Sequence, residues 1–336
     1  MKFEFDSPPA TAERRRICDG IQWFYRPLPF ALDHVNCWLL GESDETVLVD
    51  TGVDNEATRN QWRSAFSKGG QWPRQLLITH FHPDHTGLAG WFEQQGCSDF
   101  VGSEIEQDIA QTLWSGEDDD YSRFYESWYK ENGLPEEVVQ TVRQNGNTYR
   151  GKVHELPSKS RWSFLEDGQF VEIAQRPYRV IIGRGHSPDM IMLYRDDDHV
   201  LIAADQVLPS ITPNVSVMPR LPDKNPLSSF LHTLTRLEEL PDDTLVLPSH
   251  GLPFRGLHER LEVLRVHHDQ RLEQVFHACS EPRTAHDLFP VLFRRRLDAQ
   301  QTSFALGESL AHLHWLEHQG RVTRLKEKGE TRFVNV

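Results

Sequence analysis

The sequence predicts a layered α/β fold, and three observations lead to it. Short apolar runs rich in β-formers recur over residues 20–50, 76–78 and 161–247. Apolar residues at helical intervals fall between several of these runs, as over 55–68 and 226–239. Four runs also end in side chains able to bind a metal, at His80–His85, His186, Asp205 and His250. Strands alternating with helices make a mixed sheet covered by helices, and ligands gathered from strand ends onto one edge are a usual way for such folds to build a site.

Taken in order, residues 20–27 (GIQWFYRP), 34–41 (HVNCWLLG) and 45–50 (ETVLVD) alternate or run apolar between turn residues, which predicts three consecutive strands. The third ends at Asp50-Thr51-Gly52, where an acidic residue at a strand's carboxyl end serves either a site edge or a turn cap. Ala57, Trp62 and Phe66 place a helix over 55–68. Leu76 to Ile78 then delivers Thr79-His80-Phe81-His82-Pro83-Asp84-His85, and a helix is expected from near Thr86. Four metal-binding side chains within six residues at the mouth of a strand have metal-site spacing. Residues 103–145 turn acidic and helical, with Phe124, Tyr125, Trp128 and Tyr129 on one face. That face is either core or an apolar wall lent to a substrate pocket. Strands return in RWSF, QFVEIA, RPYRVIIGRG, MIMLYR and HVLIAAD, followed by a loop over 206–225 and a helix near 226–239. The strand Thr244 to Leu247 leads into Pro248-Ser249-His250-Gly251.

A chain of 336 residues has ample length for a large core. Its net charge of −14 opposes attraction to nucleic acid or an anionic membrane. The acidity is uneven: residues 257–336 carry 12 Lys+Arg against 11 Asp+Glu, so the excess lies with the metal motif in 1–256. Cys18, Cys37, Cys97 and Cys279 are scattered and read as reduced thiols, forming neither a disulfide frame nor a thiolate site. No apolar run reaches membrane-spanning length, and the polar start MKFEFDSPPATAERRR has no signal segment, so a cytoplasmic location is expected.

The ligand count fits a particular chemistry. Five histidines (His80, His82, His85, His186, His250) with Asp84 and Asp205 fill two metal positions when one carboxylate bridges, leaving room for a shared water. Imidazoles and carboxylates without thiolate favour two Zn²⁺ ions, with iron or manganese as alternatives. The other 12 histidines, among them His34, His267 and His268, lack the strand-end setting and read as surface or satisfied core residues.

These residues together resemble the metallo-β-lactamase superfamily, over residues 20 to 256 and in the family's order. The motifs are Asp50 in VLVDTG, His80-x-His82-x-Asp84-His85, His186 in GRGHSPD, Asp205 in LIAADQ and His250 in LPSHG. The resemblance implies an αββα sandwich, two mixed sheets face to face with helices outside. It implies that His80, His82 and His186 hold one metal, that Asp84, His85 and His250 hold a second, and that Asp205 bridges them. Asp50 is expected to orient ligands, and Asp84 both to ligate and to steer a hydroxide shared by the metals. Ala204 stands where the family often has Gly, and the insertion over about 103–160 has no counterpart in the smallest members. His82 in place of Glu argues against the di-iron oxygen-reducing branch, and the intact second set argues against the mononuclear persulfide dioxygenases.

Residues 257–336 read as helix, short helix, helix from about Gln301 to Gln319, and a hairpin around Lys328-Gly329. That winged-helix-like order is similar to the C-terminal domain of a lactamase-like branch that includes an animal mitochondrial single-strand endoribonuclease. The expected division is a catalytic domain over 1–256 and a second domain over 257–336. Arg294-Arg295-Arg296 either meets phosphates or forms the solvated face of a packing or homodimerising domain. The leading expectation is a hydrolase of a small ester, thioester or lactone, like the glyoxalase II and lactonase branches. The alternatives are a phosphodiesterase or single-strand ribonuclease on the same metals, and a noncatalytic binding protein on a hydrolase scaffold.

Overall fold

A computed structural model describes residues 1–336 apart from 12, 43–45, 68–71, 116–117, 219, 222 and 294–296, and describes the backbone alone at 118–123, 299 and 300. The arginine run at 294–296 lies outside the described residues. After the two-residue β1 (Lys2–Phe3), seven strands pair in chain order as one sheet: β2 (Arg15–Cys18), β3 (Ile21–Pro27), β4 (His34–Leu40), β5 (Val47–Val49), β6 (Gln75–Leu77), β7 (Asp99–Gly102) and β8 (Trp162–Phe164). β2 to β5 are antiparallel neighbours, whereas β5 to β8 are parallel and therefore need crossovers. Those crossovers carry α1 (Glu56–Ser67), then α2 (Pro83–Thr86) with α3 (Ala89–Gln94), then the inserted α4 (Glu104–Ser115), α5 (Asp118–Glu131) and α6 (Glu136–Asn145).

The second sheet takes β9 (Phe170–Ile173), β10 (Arg176–Gly183), β11 (Met190–Arg195), β12 (Val200–Ala204), β13 (Leu245–Pro248) and β14 (Phe254–Arg255), in the order β1-β14-β13-β12-β11-β10-β9. Within it only β12 and β13 are parallel, joined through α7 (Pro226–Leu237). Asn225 caps α7 by accepting from the Ser228 N–H, and Pro226 occupies its first turn.

Period-two alternation sorts side chains between layers. Trp23, Trp38 and Leu40 of the first sheet meet Ile182, Ile191, Leu193, Ile202 and Leu247 of the second in one buried cluster. The alternate residues Phe24, Val35, Cys37 and Leu39 face outward against α1, α3 and α4, burying Trp62, Phe66, Trp91 and Phe92. Met192, Tyr194, Leu201 and Val246 face outward from the second sheet against α7 and the C-terminal helices. Four layers result, helix, sheet, sheet, helix: the αββα sandwich.

The chain ends in α8 (Leu257–Ala278), α9 (Phe289–Leu292), α10 (Ala299–His318) and a hairpin of β15 (Val322–Glu327) and β16 (Glu330–Asn335). Asp298 starts α10 with a capping box to Gln301. Lys328 and Gly329 both have positive φ, as the tight hairpin requires. Arg283 bridges to Phe333 and adds a third extended segment beside the hairpin. The aromatic face of α5 is core: Tyr125 and Tyr129 are buried in the cluster containing Leu310 and Phe333, and the Tyr129 hydroxyl lies 2.7 Å from Ser303 Oγ. Phe124 stays exposed.

Candidate metal centre

Each candidate residue follows the carboxyl end of a strand: Asp50 after β5, His80 to His85 after β6, His186 after β10, Asp205 after β12 and His250 after β13. β5 and β6 run parallel in one sheet, and β10, β12 and β13 share a direction in the other, so all five turns reach the same edge of the sandwich. Where a helix was expected from near Thr86, the one-turn α2 ends there and α3 begins at Ala89; Pro83 opens α2, which presents Asp84 and His85 together. Asp50 and Ala204 hold positive φ of 61° and 46° at their strand ends. Asp tolerates that region, and Ala pays about 1 kcal/mol for it.

The seven side chains fall into two adjoining groups: His80, His82, His186 and Asp205 in one, Asp84, His85 and His250 in the other, the candidate donor atoms of each lying within 4.8 Å of one another. In the first, His82 Nδ1 stands 2.9 Å from His80 Nε2 and 3.1 Å from His186 Nε2. His186 Nε2 is 3.3 Å from Asp205 Oδ2. Tetrahedral ligands at 2.0–2.1 Å from one ion stand about 3.3 Å apart. In the second, His250 Nε2 is 3.5 Å from Asp84 Oδ2, and His85 Nε2 is 3.7 Å from it. Asp205 Oδ1 faces this group, 3.3 Å from His250 Nε2 and 3.5 Å from His85 Nε2. One carboxylate thus turns an oxygen to each group.

The surrounding residues fix which ring nitrogen faces inward. His85 Nδ1 donates to Asp50 Oδ2 at 2.7 Å, His186 Nδ1 to the Asn214 carbonyl at 2.8 Å, and His250 Nδ1 to the His34 carbonyl at 2.5 Å. Thr79 donates its hydroxyl to Asp50 at 2.8 Å and stands 3.0 Å from His80 Nδ1. His85 Nε2, His250 Nε2 and Asp205 Oδ1 are buried and complete no hydrogen bond among the described residues. Orphaned donors and acceptors of this kind, all nitrogen or carboxylate oxygen, fit a divalent cation.

Electrostatics agree with that fit. Burial, reinforced by the neighbouring imidazoles, holds His80 and His82 well below the ordinary histidine value and so keeps them neutral. Burial would lower His85 too, but Asp50, Asp84 and Asp205 outweigh it and raise that ring to about 10. Burial likewise opposes Asp205, yet His250 and His85 carry its carboxyl well below the usual range. The carboxylates thus make the His85 end of the group electronegative, while His80 and His82 stay uncharged with free lone pairs to offer.

Four supporting residues escape sequence reasoning. Glu106 of α4, 3% exposed, accepts from the Phe81 N–H at 3.0 Å and the Asp189 N–H at 2.7 Å, tying the His80–His82 turn to the His186 turn. Asn36, buried in β4, donates to the carbonyls of Pro248 and Gly251, both at 2.8 Å, and so holds the His250 turn against the first sheet. Asn214 lies in the loop after Asp205. His34, read from sequence as a surface or satisfied core residue, is satisfied (its Nε2 accepts from the Gly251 N–H at 2.7 Å), but its carbonyl also touches His250. Nothing in the sequence marks a polar residue of this kind beyond an Asn inside a strand or a Glu on an apolar helix stripe.

A family model described as "Metallo-beta-lactamase superfamily" matches residues 31–250, and one described as "Metallo-beta-lactamase-like, C-terminal domain" matches 272–336. The chain belongs to the metallo-β-lactamase superfamily of hydrolases. It is similar over its whole length to a solved β-lactamase domain protein from Burkholderia ambifaria, at 37% identity and a TM-score of 0.91, covering 98% of that chain. A metallo-β-lactamase family protein from Thermus thermophilus is 30% identical with a TM-score of 0.81, over 95% of this chain and 99% of that one. Among curated relatives, the probable metallo-hydrolase YqjP of Bacillus subtilis is 25% identical over 91% of this chain and 95% of its own. The acyl-coenzyme A thioesterase MBLAC2 of Homo sapiens is 26% identical over 71% of this chain and 81% of its own.

Proposed function

We propose that the chain hydrolyses a small acyl thioester or related ester at a pair of divalent cations, zinc by the chemistry of the donors. The observation that carries this reading is the Asp205 carboxylate, with Oδ2 toward the three-histidine group and Oδ1 toward His85 and His250. His80, His82 and His186 would hold one ion, Asp84, His85 and His250 the other, and Asp205 both. Such a pair supplies Lewis acidity for a developing oxyanion and, by lowering the pKa of water to about 7, a nucleophile at neutral pH.

The chain's own residues do the rest. Asp50, Asn214 and the His34 carbonyl hold the rings of His85, His186 and His250 with Nε2 inward. Asp84, whose Oδ2 is 3.5 Å from His250 Nε2, would accept a proton from the nucleophile and pass it to the leaving group. Two features favour an acyl substrate. One is the likeness to a relative named as an acyl-coenzyme A thioesterase. The other is an aromatic row in which Tyr149 lies 5.6 Å from Phe30 and 6.2 Å from Phe304. The turn that Tyr149 leads packs on the helix of Asp84 and His85, with Lys152 at Gly87, and Phe30 lies in the loop that enters His34. We also propose that residue 256 divides a catalytic part from a winged-helix-like C-terminal part.

Metal analysis of purified protein is expected to find close to two transition-metal ions per chain, falling for Asp205→Ala. Acyl-coenzyme A and simple S-acyl thioesters should turn over in a chelator-sensitive way. A wild-type protein that stays metal-free in zinc-supplemented medium sinks the proposal; turnover confined to bis-p-nitrophenyl phosphate or single-stranded RNA moves the same centre to phosphodiesters.

A further inference from the structure

We infer that the C-terminal helices are part of the scaffold of the metal centre, with Glu308 of α10 acting as a positioning residue for His186 through Asn214. The inference rests on the proposed metal site and assigns the C-terminal region a role in it.

Asp205 opens a loop that carries Asn214 before α7 begins. The Asn214 carbonyl accepts from His186 Nδ1 at 2.8 Å, so the place of that carbonyl sets where the opposite nitrogen of the ring points. Among its described residues the loop forms no strand. Instead, two C-terminal helices grip it. From α8, Arg260, 7% exposed, donates Nε to the Leu208 carbonyl at 2.5 Å and an amino group to the Ile211 carbonyl at 2.6 Å. From α10, Glu308 Oε2 accepts from Asn214 Nδ2 at 3.2 Å, and the Gly307 carbonyl accepts from the Val217 N–H at 3.0 Å. Ser216 Oγ lies 2.6 Å from Asn214 Oδ1 and 3.3 Å from the Phe304 carbonyl.

Packing makes the grip close. A Cβ on Gly307 would stand 2.8 Å from Ser216 Cβ and 3.0 Å from the Val217 carbonyl oxygen, so any larger residue forces a shift in the loop or the helix. Val215 and Val217 enter the same buried cluster as Leu306 and Leu310. The loop is therefore a layer between α10 and the site, and its Asn214 is held at both ends: the side chain by Glu308, the carbonyl by His186.

Chelator-competition measurement of zinc affinity on folded protein tests this. Glu308→Ala and Asn214→Ala should each weaken the more sensitive of the two ions by roughly 10- to 100-fold, the range for residues that orient a ligand. Glu308→Gln, which keeps an acceptor for Asn214 Nδ2, should stay within a few-fold of wild type. The double Ala variant should lose little more than either single one, because both remove the same link. If Glu308→Ala does not fold, Asn214→Ala carries the comparison. Both Ala variants binding two ions as tightly as wild type overturns the inference, as does a fully additive double variant; a purely structural role would lower the melting temperature of the metal-free protein and leave these affinities in place. Wild-type protein that binds no metal instead sinks the proposed function, so the two failures are distinct.

Discussion

Asp50 accepts from the Thr79 N–H at 2.9 Å, from the Thr79 hydroxyl and from His85 Nδ1, while its backbone sits at φ 61°. A buried carboxylate so surrounded is suited to orienting His85, the role we propose for it. Asp50→Asn exchanges an acceptor oxygen for a donor opposite donors, and a loss of roughly 10- to 100-fold in zinc affinity is expected by chelator competition. Unaltered affinity in a folded variant sinks that role. Glu106 gives a pH prediction. Burial raises its carboxyl from 4.5 to about 7, with the Asp189 and Phe81 N–H groups offsetting part of the rise. In the unfolded chain it ionises at about 4.3. The folded state thus holds the extra proton between these values, so its contribution is complete below the unfolded value and fades as pH climbs through about 7. Glu106→Gln should flatten the fall in melting temperature over that window; an unchanged slope would show that other groups set it.

At the scale of elements, the long strands were readable because their alternation or apolar run exceeds the noise of composition: Met190–Arg195 and Ile21–Pro27 follow the pattern almost to the residue. The candidate site was legible for a different reason: one strand-end His or Asp is ordinary, but four metal-binding side chains between His80 and His85, joined by similar strand ends at His186, Asp205 and His250, are not. What escaped was short or contextual. Asp99–Gly102 is only four residues long, yet it is the parallel strand beside β6. Asn36, Glu106 and Asn214 carry no periodic signal, and only their burial against the ligand turns gives them meaning. The aromatic face of α5 was legible as a face but not as to what covers it, which is set by α10 and β16 from far along the chain. α10 illustrates packing energy directly. Leu306, Leu310, Leu313 and Leu316 are at most 2% exposed, and Leu313→Ala should cost about 2–5 kcal/mol, read from urea unfolding. A cost below about 1 kcal/mol would mean that the helix is not held by this stripe.

For the molecule as a whole, one buried cluster runs from Leu201 and Val246 of the second sheet through α7 to Leu264, Leu310 and Phe333. The change of element type at residue 256 therefore does not coincide with a gap in the core, and calorimetry should record one unfolding transition rather than two. Two resolved transitions would refute the shared core. The turns of the metal centre come from both sheets: Asp50 and His80 to His85 from one, His186, Asp205 and His250 from the other. Direct backbone bonds cross at the same edge, from the Ile191 N–H to the Thr79 carbonyl at 2.9 Å and from the Asn36 N–H to the Ser249 carbonyl at 2.6 Å. Cations seated there, as proposed, would act as rivets through two plates. Their affinity would become resistance to unfolding, by RT ln(1 + [L]/Kd), or about 4 kcal/mol at a thousandfold excess over Kd. Stripping them with a chelator should accordingly lower the melting temperature by several degrees, and readdition of zinc should restore it: a metal scavenger would loosen the join between the two sheets without altering a single residue.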